Sequence, residues 1–418
     1  MYVIPKEVLF IGQIFGYFPL KVKDGFRGPT RLVFSSKIFV CGVVLNLLLT
    51  IFTYLSLAVD FWSMMRGRPA HISSKTGALA ITLDFVTLHL LAVSVFFNSS
   101  SKHQIFIDMC CILDRTDKMI PYRCDKSKIK MKVILVFSFL IAFLSYNLCH
   151  DFLSFQKKNQ DNIPYMIYIP RYILHLAPAL LLIQFTFVAE GLTERFRIVN
   201  IKIKLEINKH IFGAFRRRQG YSKDVYSTDA ASTVASIKSM SECYWLLCDA
   251  VKKANMFYNN QLFFAVFSAF VHVIITLYYF FVVIIVISPT LSSLALLATW
   301  ISTHITHLVL LVNSASDVTN AADRTGPTIC RLVNKDLDPE IRKQLKTFLL
   351  QLTHRNAIFS ANGFFQVDNS ILTSIAASVT TYLVILIQFQ TTQNPDESSA
   401  SDLKFNNMSN ISSFVNRS

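Results

Sequence analysis

Apolar runs long enough to cross a membrane recur along the chain. A bilayer core of about 30 Å is crossed by a helix of about 20 mostly apolar residues. The pattern predicts an all-α, polytopic membrane protein with seven transmembrane helices. A shorter run, "EVLFIGQIFGYFPL", predicts a helix at the membrane interface near the N-terminus. The seven runs lie at about 33–58, 77–97, 132–153, 165–190, 262–287, 291–312 and 369–390.

The distribution of basic residues predicts the orientation of these spans. Of the 418 residues, 16% are charged, whereas soluble proteins carry about 25%. Lys and Arg number 32 in the N-terminal segment and the even-numbered loops, against 7 in the odd-numbered loops and the C-terminal tail. The positive-inside rule therefore puts the N-terminus in the cytoplasm and the C-terminus outside the cell. This topology accounts for the net charge of +15, so no nucleic-acid partner is expected.

The segments between the spans predict how the chain is organised. In the long loop, "NIKIKLEINKHI" alternates apolar and polar residues, which favours a strand over a helical continuation of the fourth span. The polar stretch 216–235 is predicted to be disordered. The predicted divisions are a cytoplasmic N-terminal segment 1–32, spans one to four 33–190, a long cytoplasmic loop with helical parts 191–261, spans five and six 262–312, a cytoplasmic segment 313–368, the last span 369–390 and a disordered extracellular tail 391–418.

Several protein classes lack their expected signatures here. G-protein-coupled receptors also have seven spans, but with the opposite polarity, and only Cys149 approaches the outer face for a disulfide. Without a phosphate loop, an HExxH motif or metal-spaced Cys and His, no enzyme activity, cofactor or metal site is expected. A secondary transporter is the main alternative, although Pro170 and Pro178 have no matching pair in another half. Sequons in the tail make three glycosylation candidates, Asn407, Asn410 and Asn416.

The last span carries a seam of small and polar residues. Polar groups in hydrocarbon must be satisfied, so this face is expected to meet either other helices or water. Periodicity alone leaves helix packing and pore lining both open. Phe389 follows Gln388 at the outer end of the seam. If the seam lines a pore, a ring of amides next to a ring of hydrophobic side chains would close it by dewetting and reopen it when wetted. The seam residues, three or four positions apart, are Ser370, Ser374, Ala377, Thr381, Val384 and Gln388.

The end of this span also carries a motif. In "TTYLVILIQFQ", Thr381 and Tyr382 are followed by five hydrophobic residues and then by Gln388 and Phe389. This resembles the C-terminal signature of insect gustatory receptors. It looks most like their fructose-type branch, although bitter and broadly tuned members have near-identical endings. The resemblance extends upstream through "FSANGFFQVDNSILTSIAAS" and, more loosely, over the seven-span plan.

The resemblance implies a tastant-gated, nonselective cation channel in the plasma membrane of sensory neurons. The last spans of four identical or related subunits would line a central pore, with Gln388 and Phe389 at the outer gate. Cytoplasmic helices, including the segment before the last span, would anchor the subunits together. The implied partners are a small-molecule tastant (a sugar such as fructose, or a bitter compound), permeating cations, related receptor subunits and membrane lipid.

Polar and aromatic residues lie at similar depth in the predicted outer halves of five spans. Ionisable residues inside a membrane are rare and mark functional sites. Aromatic rings stack on apolar C–H faces, and carboxylates, amides and imidazoles exchange hydrogen bonds, a combination suited to a polyhydroxylated or amphipathic ligand. The ligand-binding candidates are Asp84, Asn147, His150, Arg171, Tyr172, His175, Tyr279, Trp300, Thr303 and His304.

Some of these residues also have a structural interpretation. Arg171 would equally pair with Asp151 near the interface, or extend its charge to the membrane surface. His304 and His307 are three positions apart, which is compatible with a metal site. No third ligand accompanies them in the sequence, so helix packing is favoured for this pair.

Overall fold

The structure, a computed structural model, is a bundle of long helices with two short antiparallel hairpins. It describes residues 4–23, 31–66, 75–120, 126–158, 165–218, 224–285, 291–353 and 355–393. The candidate glycosylation residues Asn407, Asn410 and Asn416 lie outside the described residues. The all-α fold class is confirmed.

The helices and strands follow one another in the order of the predicted spans and loops. The strands are β1 (Leu20–Lys23), β2 (Arg31–Phe34), β3 (Ser360–Ala361) and β4 (Phe365–Gln366), and a 3-10 turn at Tyr165–Tyr168 precedes α6. The helices are α1 (Lys6–Ile14), α2 (Ser36–Met65), α3 (Lys75–Ser101), α4 (His103–Met119), α5 (Lys126–Lys158), α6 (Ile169–Leu174), α7 (Leu176–Arg218), α8 (Asp224–Ile285), α9 (Leu291–Asp323), α10 (Thr325–Val333), α11 (Pro339–Leu352) and α12 (Asn369–Gln393).

Six helical segments in the described part of the chain are long and apolar enough to cross a membrane. They lie in α2, α3, α6–α7, α8, α9 and α12 and coincide with six of the seven predicted spans. The third predicted span, 132–153, lies within α5, whose apolar stretch among the described residues is the shorter Ser138–His150. A multi-span membrane protein is therefore supported, and the seventh span stays a prediction.

Helix α7 overturns the strand predicted at "NIKIKLEINKHI". These residues continue the helix of the fourth span without interruption. Ile203 and Ile207, four positions apart, are fully buried, whereas Ile201 and Leu205 are more than half exposed. The alternation therefore comes from apolar residues on opposite sides of one helix, of which one side packs in the core. Packing in the core, and not the local alternation, makes this segment helical, so the strand prediction is wrong.

Helix α8 corrects the prediction of disorder at 216–235. The helix begins at Asp224, and α7 reaches Arg218, so helix occupies this stretch except at 219–223, which lie outside the described residues. Its 62 residues make α8 about 93 Å long, so the long loop and the fifth span form one helix. Ile237 is fully buried, and a helix anchored there extends outward because each added residue contributes one hydrogen bond.

The densest core lies in the helical extensions beyond the predicted spans. There α7, α8 and α9 pack together with α4 and α11, and the core includes the fully buried Phe106, Phe196, Phe257 and Phe348. The apolar window of α2 is only 17% buried, and that of α12 only 6%. The chain is therefore firmly packed on the side of its basic loops, whereas α2 and α12 leave most of their apolar surface uncovered by their own chain.

The N-terminal segment packs back onto α2 through two glycines. Helix α1 contacts α2 and α7, and the β1–β2 hairpin follows it. Gly16 lies at φ +70°, in the left-handed region that favours glycine. A Cβ built on Gly42 of α2 would lie 2.5 Å from the Cα of Gly16. The two backbones approach so closely that neither position has room for a side chain.

Substitution of Gly42 by Ala is expected to destabilise the protein by about 1–3 kcal/mol, because the new methyl group meets backbone that has to move. The measurement is the melting temperature of the purified protein in detergent. Gly326→Ala is the matched control, since a Cβ at Gly326 has no neighbour within 4 Å. Equal melting temperatures for Gly42→Ala and the unmodified protein would contradict this packing.

Candidate functional site

A cavity of about 40 Å³ lies among five helices of the bundle. Four of the candidate residues line it, namely His175, Trp300, Thr303 and His304. The other lining side chains are mostly apolar and include Leu88, Leu91, Leu140, Phe143, Leu144, Pro178, Leu182, Ala265, Ala269, Leu308 and Leu311, together with Ser268, His272 and His307.

Aromatic rings form one wall of this cavity. The indole of Trp300 lies 4.8 Å from the ring of His175 and 5.6 Å from that of His304, measured between centroids. Phe143 meets the same indole edge-on at 5.1 Å, and the rings of His272 and His304 are 4.6 Å apart. Such a wall stacks on flat or C–H-rich ligand faces, and the imidazoles supply the hydrogen bonds.

Asp84 reaches the cavity through His272. Nε2 of His272 lies 3.1 Å from Oδ1 of Asp84, and Nδ1 lies 2.6 Å from the carbonyl oxygen of Ser268. Because a carbonyl only accepts hydrogen bonds, Nδ1 carries the proton at that contact. Asp84 thus contacts a lining residue instead of lining the cavity itself.

Arg171 is bound elsewhere. Its guanidinium donates to Oδ2 of Asp60 at 2.6 Å and to Oγ of Ser56 at 2.6 Å, and the Tyr168 hydroxyl donates to the same carboxylate at 3.1 Å. Asp60 belongs to α2, which extends past the predicted end of the first span, and it is 2% exposed. Arg171 is therefore held in an ion pair with Asp60, and the side chain of Asp151, the partner considered from the sequence, lies outside the described residues.

The remaining candidates lie outside the cavity lining. Asn147 is buried, and its side-chain amide donates to the carbonyl of Phe143 on the same helix. His150 packs near Tyr146, with ring centroids 6.4 Å apart. Tyr172 and Tyr279 are half-buried and do not line the cavity. Among the described residues, no group of three or more His, Cys, Asp or Glu side chains is placed to hold a metal ion.

The seam of α12 faces away from the rest of the chain. All six seam residues, from Ser370 to Gln388, are exposed. On the other side of the helix, Ile371 and Val379 are buried and Ile375 packs on the core. The helix contacts α8 and α9, with Tyr382 meeting Phe270 at 6.0 Å. Phe389 lies on the same helix just beyond Gln388.

Comparison with known proteins identifies the family. The family model for 7tm chemosensory receptors matches residues 7–393, nearly the whole chain. The chain belongs to this family. Among structures, the olfactory receptor OR5 of Machilis hrabei, solved in complex with eugenol, is similar with a TM-score of 0.61 at 14% identity, covering 92% of this chain and 97% of that one. At this identity the likeness shows a shared fold.

The receptor also resembles individual gustatory receptors of Drosophila melanogaster. Putative gustatory receptor 28b is 26% identical over 199 residues, 45% of this chain and 42% of that protein. The gustatory receptor for sugar taste 43a is 38% identical over 93 residues, 22% of each chain. The receptor thus spans less than half the length of these curated relatives, and the resemblance to gustatory receptors is confirmed at the level of the family.

Sequence reasoning missed His272 as a lining residue of this receptor's cavity and Asp60 as a partner of Arg171. His272 lies near the middle of the fifth predicted span, and His307, which the sequence pairs with His304, lies in the inner half of the sixth, whereas the predicted candidates lie in the outer halves. Asp60 follows the end of the first predicted span, in the predicted outer loop. An ionisable residue anywhere within a span is the available signal for His272.

Proposed function

We propose that this receptor is a tastant-gated, nonselective cation channel of the sensory-neuron plasma membrane. It has seven spans, a cytoplasmic N-terminus and an extracellular C-terminus, and it assembles as a homo-tetramer or as a hetero-tetramer with related receptors. The observation that carries this proposal is the exposed polar seam of α12. Only 6% of the apolar window of this span is buried in its own chain, and a polar face that stays exposed in a membrane needs other chains or water around it.

The seam has the chemistry of a cation pathway. The hydroxyl of Ser374 donates to the carbonyl of Ser370, and that of Thr381 to the carbonyl of Ala377, at 3.2 and 3.1 Å. Because each hydroxyl proton is used within the helix, the oxygen lone pairs are left for water or a cation. The seam therefore offers a row of acceptors without fixed charge, which suits a pore that passes several cations.

Gln388→Ala tests the outer gate directly. Loss of the amide is expected to change the relative permeability of Na⁺, K⁺ and Ca²⁺, since the narrowest polar ring then lacks its hydrogen-bonding groups. The measurement is the reversal potential of tastant-evoked currents under bi-ionic conditions. Ile387→Ala, at the half-buried neighbouring position, is the control and should leave the permeability ratios unchanged. Unaltered currents and selectivity in Gln388→Ala would remove Gln388 from the gate.

The aromatic cavity is the proposed tastant site. Its rings and imidazoles suit a sugar such as fructose, and the partial likeness to a sugar-taste receptor adds support. A bitter compound is the alternative, since an amphipathic ring also stacks on Trp300. About 40 Å³ holds roughly three water molecules, less than a monosaccharide needs, so binding requires the helices to separate. A ligand that fits only the separated arrangement shifts the receptor towards it.

Helices α8 and α9 connect this cavity to the seam. His272 lines the cavity on α8, and Phe270, two residues away, meets Tyr382 of α12. On α9, the Ser316 hydroxyl donates to Oδ1 of Asn369 at the start of α12, at 3.2 Å. When the ligand separates α8 from α9, the displacement therefore reaches α12 at two points along its length.

Trp300→Ala is expected to raise the half-maximal concentration of the activating compound at least about tenfold, because a stacking indole contributes on the order of 1–3 kcal/mol. Calcium imaging against a panel of sugars and bitter compounds first finds the activator and then gives its dose response. Trp62→Ala provides the control, since Trp62 is exposed on α2 far from the cavity lining. Unchanged potency in Trp300→Ala would place the tastant elsewhere.

A further inference from the structure

A second cleft, of about 390 Å³, opens between α7 and the corner where α9 meets α10. Volumes of about 300–1,000 Å³ are typical of small-molecule sites. Arg197, Asn200 and Lys204 line it from α7, at spacings that put them on one face of the helix. Arg324, Thr328 and Arg331 line it from the α9–α10 corner.

The cleft is strongly cationic. Its lining contains four basic side chains and no carboxylate. The exposed carboxylate of Glu194 pairs with Arg197 at the rim. Within the described part of the chain, no carboxylate lies within ion-pairing distance of Lys204, Arg324 or Arg331. A concave surface lined by one sign of charge concentrates its field and attracts a ligand of opposite charge.

Asn200 adds a hydrogen-bond acceptor to the cationic cleft. Its side-chain nitrogen donates to the carbonyl of Ala321 at 3.1 Å, which ties α7 to α9 across the cleft. The residue is 8% exposed, and its Oδ1 is buried without a hydrogen-bond partner. A buried acceptor without a donor is costly, and a hydroxyl group on a ligand would satisfy it. Four cations and one acceptor together suit a phosphate ester of a polyol better than a bare anion.

The position of the cleft favours a soluble ligand over a lipid headgroup. The predicted fourth span ends at 190, so Arg197 and Lys204 lie about 10 and 21 Å further along the same straight helix. They belong to the side of the bundle that carries the basic loops, which we propose to be cytoplasmic. We infer that the cleft binds a soluble, multiply phosphorylated polyol of the inositol polyphosphate class and thereby clamps α7 to the α9–α10 corner.

The test measures binding of a radiolabelled myo-inositol pentakisphosphate, which keeps one free hydroxyl group, to the full-length receptor in phosphatidylcholine nanodiscs, without any tastant. Saturable binding that weakens as salt is raised is expected. The Lys204→Gln/Arg331→Gln variant should bind at least about tenfold more weakly, because two charge-assisted hydrogen bonds to phosphate are lost. Lys343→Gln/Lys346→Gln removes the same charge from exposed positions on α11 and should change affinity less than about twofold.

Three outcomes overturn the inference. Absence of saturable binding would show that the cleft is not a site for this ligand. Equal weakening of probe binding in both double variants would show only a general attraction between the basic receptor and the anionic probe. Displacement of the probe from the unmodified receptor by phosphatidylinositol 4,5-bisphosphate in the nanodisc would assign the cleft to a lipid headgroup. Arg324→Gln, a single exposed substitution, repeats the test if the double variant melts at a lower temperature. Because no tastant or current is involved, failure here is separable from failure of the proposed channel.

Discussion

Replacement of Arg195 by Met is expected to abolish most of the folded receptor at the cell surface. Arg195 on α7 donates from Nε and a terminal nitrogen to both carboxylate oxygens of Asp117 on α4, each at 2.8 Å. A third bond, from its other terminal nitrogen, reaches the carbonyl of Gly191 at 2.8 Å. The side chains of Arg195 and Asp117 are only 6% and 11% exposed. The side chain of Met has most of the length of the Arg side chain but forms none of these hydrogen bonds.

The expected loss is large because the carboxyl group of Asp117 is left without its partner in a nearly dry site. Removal of one partner from a buried ion pair costs about 3–5 kcal/mol, which is a large share of the stability of a folded protein. The measurements are surface labelling in cells and the melting temperature of detergent-purified protein. Both should fall sharply in Arg195→Met.

Lys118→Met offers a matched control on α4, next to Asp117. Lys118 pairs with Asp114 at 2.9 Å, and both side chains are well exposed, so loss of this pair is worth at most about 1 kcal/mol. Equal effects of the two substitutions, or a normal melting temperature in Arg195→Met, would show that the α4–α7 ion pair does not hold the helical core together.

The membrane spans were predictable because hydrocarbon imposes one strong requirement on sequence. Six helices coincide with predicted spans, since only helices with long apolar faces satisfy their backbone inside a bilayer. Outside the bilayer that requirement ends. There an alternating apolar and polar sequence is compatible with a strand or with a helix that has apolar residues on two sides. Burial of Ile203 and Ile207 in the core favours the helix α7. Local periodicity does not contain that information.

The cavity was predictable in part. Of the candidates from five spans, only His175 of the fourth and Trp300, Thr303 and His304 of the sixth line the cavity, and their role in ligand binding stays a prediction. Arg171 does not join them, because Asp60, which holds it, is contributed by a turn of α2 that the hydropathy window excluded. Depth along a span does not specify direction around the helix, so of two residues at similar depth Trp300 lines the cavity and Tyr279 does not.

The exposed face of α12 has the greatest consequence for function. Sequence periodicity left packing and pore lining open, and a single chain with its seam exposed is compatible with contact to water or to other copies. The two cases differ in whether a charged, water-soluble reagent reaches the seam. Thr381 lies on the seam at mid-helix, and Val379, two positions away, is 7% exposed and packs against its own chain.

Modification of introduced cysteines from the outside is the decisive measurement. Thr381→Cys and Val379→Cys receptors are activated by the tastant and exposed to a positively charged methanethiosulfonate reagent during whole-cell recording, with the unmodified receptor reporting the effect on its own cysteines. A fixed positive charge on a water-filled axis repels permeating cations, so most of the Thr381→Cys current should be lost while Val379→Cys remains conducting. Rapid block of Val379→Cys with no effect on Thr381→Cys would contradict the pore-lining seam.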